Sequence, residues 1–335
     1  MTKFFSLFSL FFKKTKPKAI ATGEREQRRR KEKTTKKREN MPCKKCPRGC
    51  SSVPGFCQAI SSQPEAAAVY AHKGEEPPIC GERGISNIFF AHCNLQCIYC
   101  QNHDISRPKV AREKIKLHSV EEIVEATAES LRQTENIVGF VSATQYSDLV
   151  IPIVEGLRDK GLRPTIVYNS NGYESIEVLE QLGPYVDIYL PDYKYSDSAL
   201  AARYSNAGDY PEVAGRAIKE MYNQKGASLP TDEGLAFNGL IIRHLVLPGQ
   251  VQNSIESLRW IADNLSTKIH ISLMAQYFPP AGVELPDELN RRLYKEEYDQ
   301  VVEEFYKLGF YRGWVQELDA ADNYKPHFDT TTSFG

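Results

Sequence analysis

No cysteine occurs after residue 100 of this 335-residue chain, so its last 235 residues hold none. That absence excludes a disulfide framework spread through the fold, of the kind that staples small secreted domains. There is also no apolar run of the roughly 20 residues that a membrane-spanning helix needs. The apolar stretch Phe4–Phe12 reads FFSLFSLFF, and its basic run follows it, whereas a secretory signal peptide carries positive charge in front. Net charge is nearly absent as well, at −1, but it conceals an asymmetry: residues 1–42 carry 14 Lys/Arg against 4 Asp/Glu. A basic arm on an acidic body does not describe a dedicated nucleic-acid binder, whose basic residues belong on a folded face.

What is present is 41% hydrophobic and 25% charged, the composition of a soluble globular protein with one large domain and an appendage. Residues 1–40 have charge without apolar periodicity, which predicts a disordered basic arm. Residues 41–82 form a Cys-rich knuckle and linker, 83–316 the main domain, and 317–335 a C-terminal tail. All eight cysteines fall between Cys43 and Cys100. Thiols confined to one window of a large chain point to metal, hence to a reducing, cytoplasmic compartment away from membranes.

From Ser86 onward apolar runs alternate with amphipathic stretches. Strands are predicted over Asn87–His92, Ile137–Ala143, Pro164–Asn169, Val186–Leu190, Leu240–Leu247 and Lys268–Tyr277. Helices are predicted over Val120–Arg132, Leu149–Lys160, Ser175–Leu182, Ala199–Tyr204, Val213–Tyr222, Ser254–Leu265 and, as one long element with Glu303 and Glu304 facing out, Pro286–Leu308. Strands alternating with helices give a parallel α/β sheet with right-handed crossovers. Periodicity leaves an open doubly wound sheet and a barrel both standing; in either, the site lies at the C-terminal strand ends.

The chemistry concentrates in Phe89–Ser106, FFAHCNLQCIYCQNHDIS, directly after the first predicted strand. Cys93, Cys97 and Cys100 can hold three irons of a 4Fe–4S cube and leave the fourth iron open. Structural zinc prefers four ligands; His92 or His103 would have to complete such a set.

The spacing Cys93-x3-Cys97-x-Tyr99-Cys100 resembles the signature of the radical S-adenosylmethionine (SAM) superfamily. The surrounding text, EEPPICGERG, YNSNGYES, VDIYLPDYKYSD, YSNAGDYPEVA, RHLVLPG and LMAQYFP, resembles homologues of pyruvate formate-lyase activating enzyme over about Cys43 to Trp314. The resemblance implies a partial (β/α)6 TIM-like barrel with an N-terminal Cys-rich extension. It implies a 4Fe–4S cluster and S-adenosyl-L-methionine as cofactors, and reductive cleavage of SAM to a 5′-deoxyadenosyl radical for hydrogen abstraction. The implied partners are a reduced flavodoxin or ferredoxin as electron donor and a glycyl-radical protein or another substrate. Tyr99 holds the aromatic place of the signature. The Gly-Gly-Glu stretch of the activating enzymes is missing: VSATQYSD stands there, with Ser142, Thr144 and Gln145 as replacements. Asn169 and Asn171, the pair Asp192 and Lys194 (a D-x-K element), Arg243 with His244, and Met274 with Gln276 are the further cofactor contacts implied. Each also has a plainer reading: an exposed ion pair for Asp192–Lys194, a neutral core imidazole for His244, helix caps for Ser142 and Thr144.

Cys43-x2-Cys46-x3-Cys50-x6-Cys57 is a separate compact set, suited equally to tetrahedral zinc and to a closed 4Fe–4S cluster. Cys80 is left over, either buried or a substitute for one of the four. The rival reading of the whole chain is a zinc-binding interaction module whose basic arm contacts nucleic acid.

Overall fold

The computed structural model describes residues 42–59, 64–108 and 115–318. The predicted basic arm, and the tail beyond residue 318, lie outside them. All six predicted strands form, as β2 (Ile85–Phe90), β3 (Ile137–Val141), β4 (Thr165–Ser170), β5 (Ile188–Pro191), β6 (Gly239–Leu245) and β7 (His270–Met274). They pair in that order, each parallel to the next, with a βα crossover between neighbours. β2, β3 and β5 are buried at every residue, because the interior covers one face and helices cover the other.

Two edge strands escaped the sequence reading. β1 (Ala66–His72) pairs antiparallel with β2, and β8 (Gly313–Val315) pairs parallel with β7. The order β1-β2-β3-β4-β5-β6-β7-β8 leaves the two edges unpaired with each other. The barrel is therefore partial, six βα-linked strands with one strand added at each side. β1 falls within residues 41–82, so the linker there contributes a strand.

The helices α1 (Val120–Leu131), α2 (Ser147–Asp159), α3 (Ile176–Leu182), α4 (Ser198–Ser205), α5 (Tyr210–Lys225) and α6 (Val251–Asn264) follow the predicted ones. α1 shows why. Ser119 accepts from the Glu122 amide at 3.1 Å while the Glu122 carboxylate accepts from the Ser119 amide at 2.7 Å, a capping box that satisfies two terminal donors. Ile123, Thr127 and Leu131 then recur every four residues on the buried face. The predicted long helix from Pro286 to Leu308 is corrected: a 3₁₀ turn at Asp287–Leu289 precedes α7 (Lys295–Lys307). Arg291 pairs with Glu297, which also accepts the Tyr294 amide, and these contacts fix a new helix start after Tyr294. Glu304 is also buried, not outward-facing: it pairs with Arg259 at 2.8 Å.

One contact ties the sheet to the site. Gly139 of β3 lies against Asn87 of β2, and a Cβ there would overlap the Asn87 side-chain oxygen. The Asn87 amide in turn donates to Glu75 at 2.8 Å. Gly139→Ala is expected to destabilise the fold by about 1–3 kcal/mol, the usual penalty of overpacking, measured by urea unfolding. Unchanged stability would show that Asn87 yields freely.

Candidate active site

The chain leaves β2 at Phe90 and turns sharply. His92 and Gln96, which flank the first two thiols of the triplet, and Ser142 at the end of β3 all take left-handed φ, at 68°, 57° and 55°. Such conformations are costly for non-glycine residues and persist only where surroundings enforce them. Here the enforcement is visible. The buried His92 ring meets Glu65 at 2.5 Å, and Tyr146 donates to the same carboxylate at 2.8 Å. The Gln145 amide donates to the carbonyls of Ala91 (2.8 Å), His92 (3.1 Å) and Ser142 (2.8 Å), binding the turn to the end of β3.

Each thiol of the triplet accepts a hydrogen bond. Cys93 Sγ accepts from the Leu95 amide and from Asn171 Nδ2, both at 3.4 Å. Cys97 Sγ accepts from the Ser205 hydroxyl at 2.9 Å and Cys100 Sγ from the Ser106 hydroxyl at 3.4 Å. Burial pushes the Cys97 thiol up to about 12, against the opposing pull of the Lys194 ammonium. A thiolate there needs a further positive charge, which iron would supply. Three sulfurs on one loop, with hydrogen-bond donors behind them, suit a three-ligand cluster. His92, engaged by Glu65, and His103, 3.7 Å from Asp104, line no part of the cavity beside the triplet. Among the described residues no three His, Cys, Asp or Glu side chains already close around a single-ion position.

The three thiols open into a cavity of about 400 Å³ at the C-terminal strand ends. Of the sequence-expected cofactor contacts, the structure brings Tyr99, Ser142, Asn169, Asn171, Asp192, Lys194, Arg243, Met274 and Gln276 to its wall. Thr144 does not: its hydroxyl donates to Glu174 at 2.6 Å behind the wall, beside Ser170, which donates to the same oxygen at 2.6 Å. Burial lifts the Glu174 carboxyl to about 7. Lys194 and Asp192 meet at 2.5 Å. Burial works against the Lys194 charge, but Asp192 and Cys97 outweigh it and hold the ammonium above its ordinary range. Tyr99 donates no bond to the cavity; its hydroxyl accepts from Tyr195 at 2.6 Å.

The floor was not foreseen. After β1 the chain turns beneath the barrel and presents Glu75 and Glu76 to Arg243. Glu76 takes the guanidinium in a two-point fork at 2.8 and 2.7 Å, and Glu75 closes on the same Nη2. These carboxylates are almost fully buried. Burial alone would push Glu75 up, yet Arg243, His72 and Asn87 hold it below the carboxylate range. The local sequence carries no signal for this pairing, since the partners stand 168 residues apart.

His244 is fully buried and absent from the cavity wall. Its Nδ1 donates to the Tyr193 carbonyl at 2.6 Å, which fixes a neutral tautomer, and burial lowers its pKa to about 4. Above pH 6.5 the imidazole is neutral whether folded or unfolded and costs nothing. Between pH 6.5 and 4 only the unfolded chain takes the proton, so stability falls as pH falls, by about 3 kcal/mol in all. Urea unfolding between pH 7 and 4.5 is expected to show this slope, flattened in His244→Gln; an equal slope in both would remove His244 as its source.

Cys43, Cys46, Cys50 and Cys57 line a second, small cavity of about 20 Å³. Cys80 joins neither group; it is buried, its thiol 3.8 Å from the His72 carbonyl.

The chain is 28% identical over 253 residues to an uncharacterized protein of Methanocaldococcus jannaschii, a stretch covering 74% of this chain and 68% of that one. No family model matches it. Among solved structures it is similar to a domain of the pyruvate-formate lyase-activating enzyme of Bacteroides vulgatus, with 14% identity and a TM-score of 0.37 over 51% of this chain and 92% of that one. It is similar also to anSMEcpe with bound AdoMet (14% identity, TM-score 0.43, 65% and 57% of the two chains). The FeFe-hydrogenase maturase HydG of Carboxydothermus hydrogenoformans is a third such structure (10% identity, TM-score 0.46, 69% and 53%). The chain spans little more than half the length of these last two. No described helix is long and apolar enough to cross a membrane. The Cys93–Cys100 spacing on which the sequence resemblance to the radical SAM superfamily rests lies directly after β2 in the partial (β/α)6 barrel.

Proposed function

We propose that this protein is a radical SAM enzyme that holds a 4Fe–4S cluster on Cys93, Cys97 and Cys100 and takes S-adenosylmethionine in the adjoining cavity. The observation that carries the reading is that Cys93, Cys97 and Cys100 all line the cavity that the C-terminal strand ends surround. When bound, cluster and cofactor together would supply a 5′-deoxyadenosyl radical able to remove a hydrogen atom from a substrate.

The chain's own residues bind, orient and exclude water. Ser205, Ser106 and Asn171 donate to the three sulfurs and stabilise their ionised form. Lys194, kept charged by Asp192, is the cation at the wall suited to a carboxylate. Asn169 and Ser142 offer neutral donors and acceptors at the ends of β4 and β3. The Glu75–Glu76–Arg243 group closes the bottom, so that substrate enters from the open C-terminal side. That side suits a glycine-bearing loop of a glycyl-radical protein, with a reduced flavodoxin or ferredoxin as electron source. A zinc-binding interaction module leaves the cavity and its charged wall without a purpose.

The test is anaerobic reconstitution with iron and sulfide, reduction with dithionite, and assay of SAM for 5′-deoxyadenosine. Product formation supports the reading. A reconstituted, folded protein that neither cleaves SAM nor changes its electron paramagnetic resonance spectrum when SAM is added overturns it.

A further inference from the structure

Residues 43–57 line no part of the cavity of the proposed reaction, yet they hold the signature loop at three points. Gln96, between the first two signature thiols, donates to the Phe56 carbonyl at 2.9 Å. Lys45 donates to the Gln145 carbonyl at 3.2 Å and pairs with Asp148 at 2.5 Å, and Gln145 is the residue whose amide binds the turn at His92. The third point is Arg48, whose Nε donates at 2.9 Å to the carbonyl of Asn94, the residue after Cys93.

Arg48 also reaches the end of α4. Its Nη1 donates to the Asn206 carbonyl at 2.6 Å and its Nη2 to the Ser205 carbonyl at 3.4 Å. Carbonyls at a helix C-terminus lack partners within the helix, and a cation there meets the negative end of the helix dipole. The guanidinium lies 3.9 Å over the Phe56 ring and 5.2 Å over the Tyr173 ring, contacts that favour a cation on an aromatic face. One planar group thus joins the signature loop, the end of α4 and the loop after β4. Those segments carry the donors to two of the three thiols. Ser205 gives its hydroxyl to Cys97. Asn171 gives its amide to Cys93 and, at 2.7 Å, to the Asn94 side chain, which itself donates to the Tyr173 carbonyl at 2.8 Å. The three acceptors of Arg48 are neutral carbonyls, so these bonds leave its positive charge uncancelled beside the loop.

We propose that Arg48 is a positioning residue for the signature thiols: through Asn94, Ser205 and Asn206 it fixes the loop against the donors to Cys93 and Cys97, and its charge favours the reduced state of the centre those thiols hold. Reduction adds a negative charge, which a fixed guanidinium stabilises, and nearby charge and hydrogen bonds to sulfur set the potential of such a centre. The charge role rests on the proposed reading of the triplet; the positioning role stands without it.

The test compares the full-length wild type with Arg48→Met and Arg48→Lys, all purified anaerobically. Hydrogen exchange read by mass spectrometry should quicken about tenfold in Arg48→Met over residues 93–100 and 204–208 together, with β3 to β5 unchanged. Arg48→Lys should quicken both segments nearly as much, since one ammonium cannot reproduce the fixed fork of a guanidinium. After reconstitution with iron and sulfide, reduction of the SAM-responsive centre should be disfavoured about tenfold in Arg48→Met, or about 59 mV for one electron. Arg48→Lys keeps the charge and should recover most of that shift, whereas loosening of the structure alone would shift both variants alike. Wild-type exchange in the loop and the α4 end of Arg48→Met overturns the positioning role. An unchanged potential, or an equal shift in both variants, overturns the charge role. If circular dichroism shows that Arg48→Met does not fold, Arg48→Gln takes its place in both measurements. A wild type that builds no SAM-responsive centre sinks the proposed function and the charge role with it, while the exchange comparison still decides the positioning role.

Discussion

Cys97→Ala is expected to abolish cleavage of S-adenosylmethionine, leaving only the uncatalysed background, while the barrel still folds. Cys97 is the most enclosed of the three signature thiols, at 8% exposure, and its sulfur accepts the short bond from Ser205. With three ligands on one loop, losing one leaves two to hold a four-iron cube. Fold survival is expected because the loop projects beyond β2, whose pairing with β1 and β3 involves none of the thiols. The measurements are 5′-deoxyadenosine formed per chain and the circular dichroism melt. Retained cleavage would remove Cys97 from the ligand set. Ser205→Ala should give a graded effect, about a 10–100-fold loss of cluster retention or activity, as is usual when a hydrogen-bond partner behind a metal ligand is lost.

Arg243→Ala is expected to destabilise the fold by about 3–5 kcal/mol, because it strands Glu75 and Glu76 as buried charges without a counter-ion. The Glu75 carboxyl gives a second signature. Arg243 helps to hold the Glu75 carboxyl below its ordinary range, so this pairing adds stability above about pH 4.5 and loses it as pH falls below that value. In Arg243→Ala the sign reverses: burial now raises the Glu75 carboxyl, and acidification toward pH 5 should recover part of the lost stability. Arg243→Lys should rescue only partly, since an ammonium cannot reproduce the fork on Glu76. A triple change, Glu75→Gln, Glu76→Gln and Arg243→Met, should come closer to wild type than Arg243→Ala, because it leaves no buried charge unpaired. Urea unfolding of the three variants and the wild type decides; an Arg243→Ala protein as stable as wild type would mean that water reaches the floor.

The six inner strands and most helices were legible because a buried parallel strand is a short apolar run, and a surface helix repeats its apolar residues every three or four positions. The clustering of the three signature thiols was legible for a similar reason: three side chains within eight residues need no tertiary fold to meet. β1 and β8 were not legible. AAAVYAH and GWV are short edge segments without strong alternation, and they become strands only because β2 and β7 offer unpaired edges. The long helix drawn from Pro286 failed at a contact between side chains, Arg291 with Glu297, that competes with helical continuation.

The sequence by itself determined the order of the elements, the end of the sheet at which the site forms, and the thiols that could bind metal, because each depends on residues close together in the chain. Only the tertiary structure decided that Thr144 turns to Glu174 and not to the cavity, that His244 is a neutral core residue, and that Arg243 meets Glu75 and Glu76 beneath the barrel. It also decided that the two cysteine groups share Asn94 as a neighbour. Periodicity records which face of a strand or helix is apolar, but the partner of a buried polar group is chosen by curvature and register across strands. Those bring together residues separated by 30 to 168 positions.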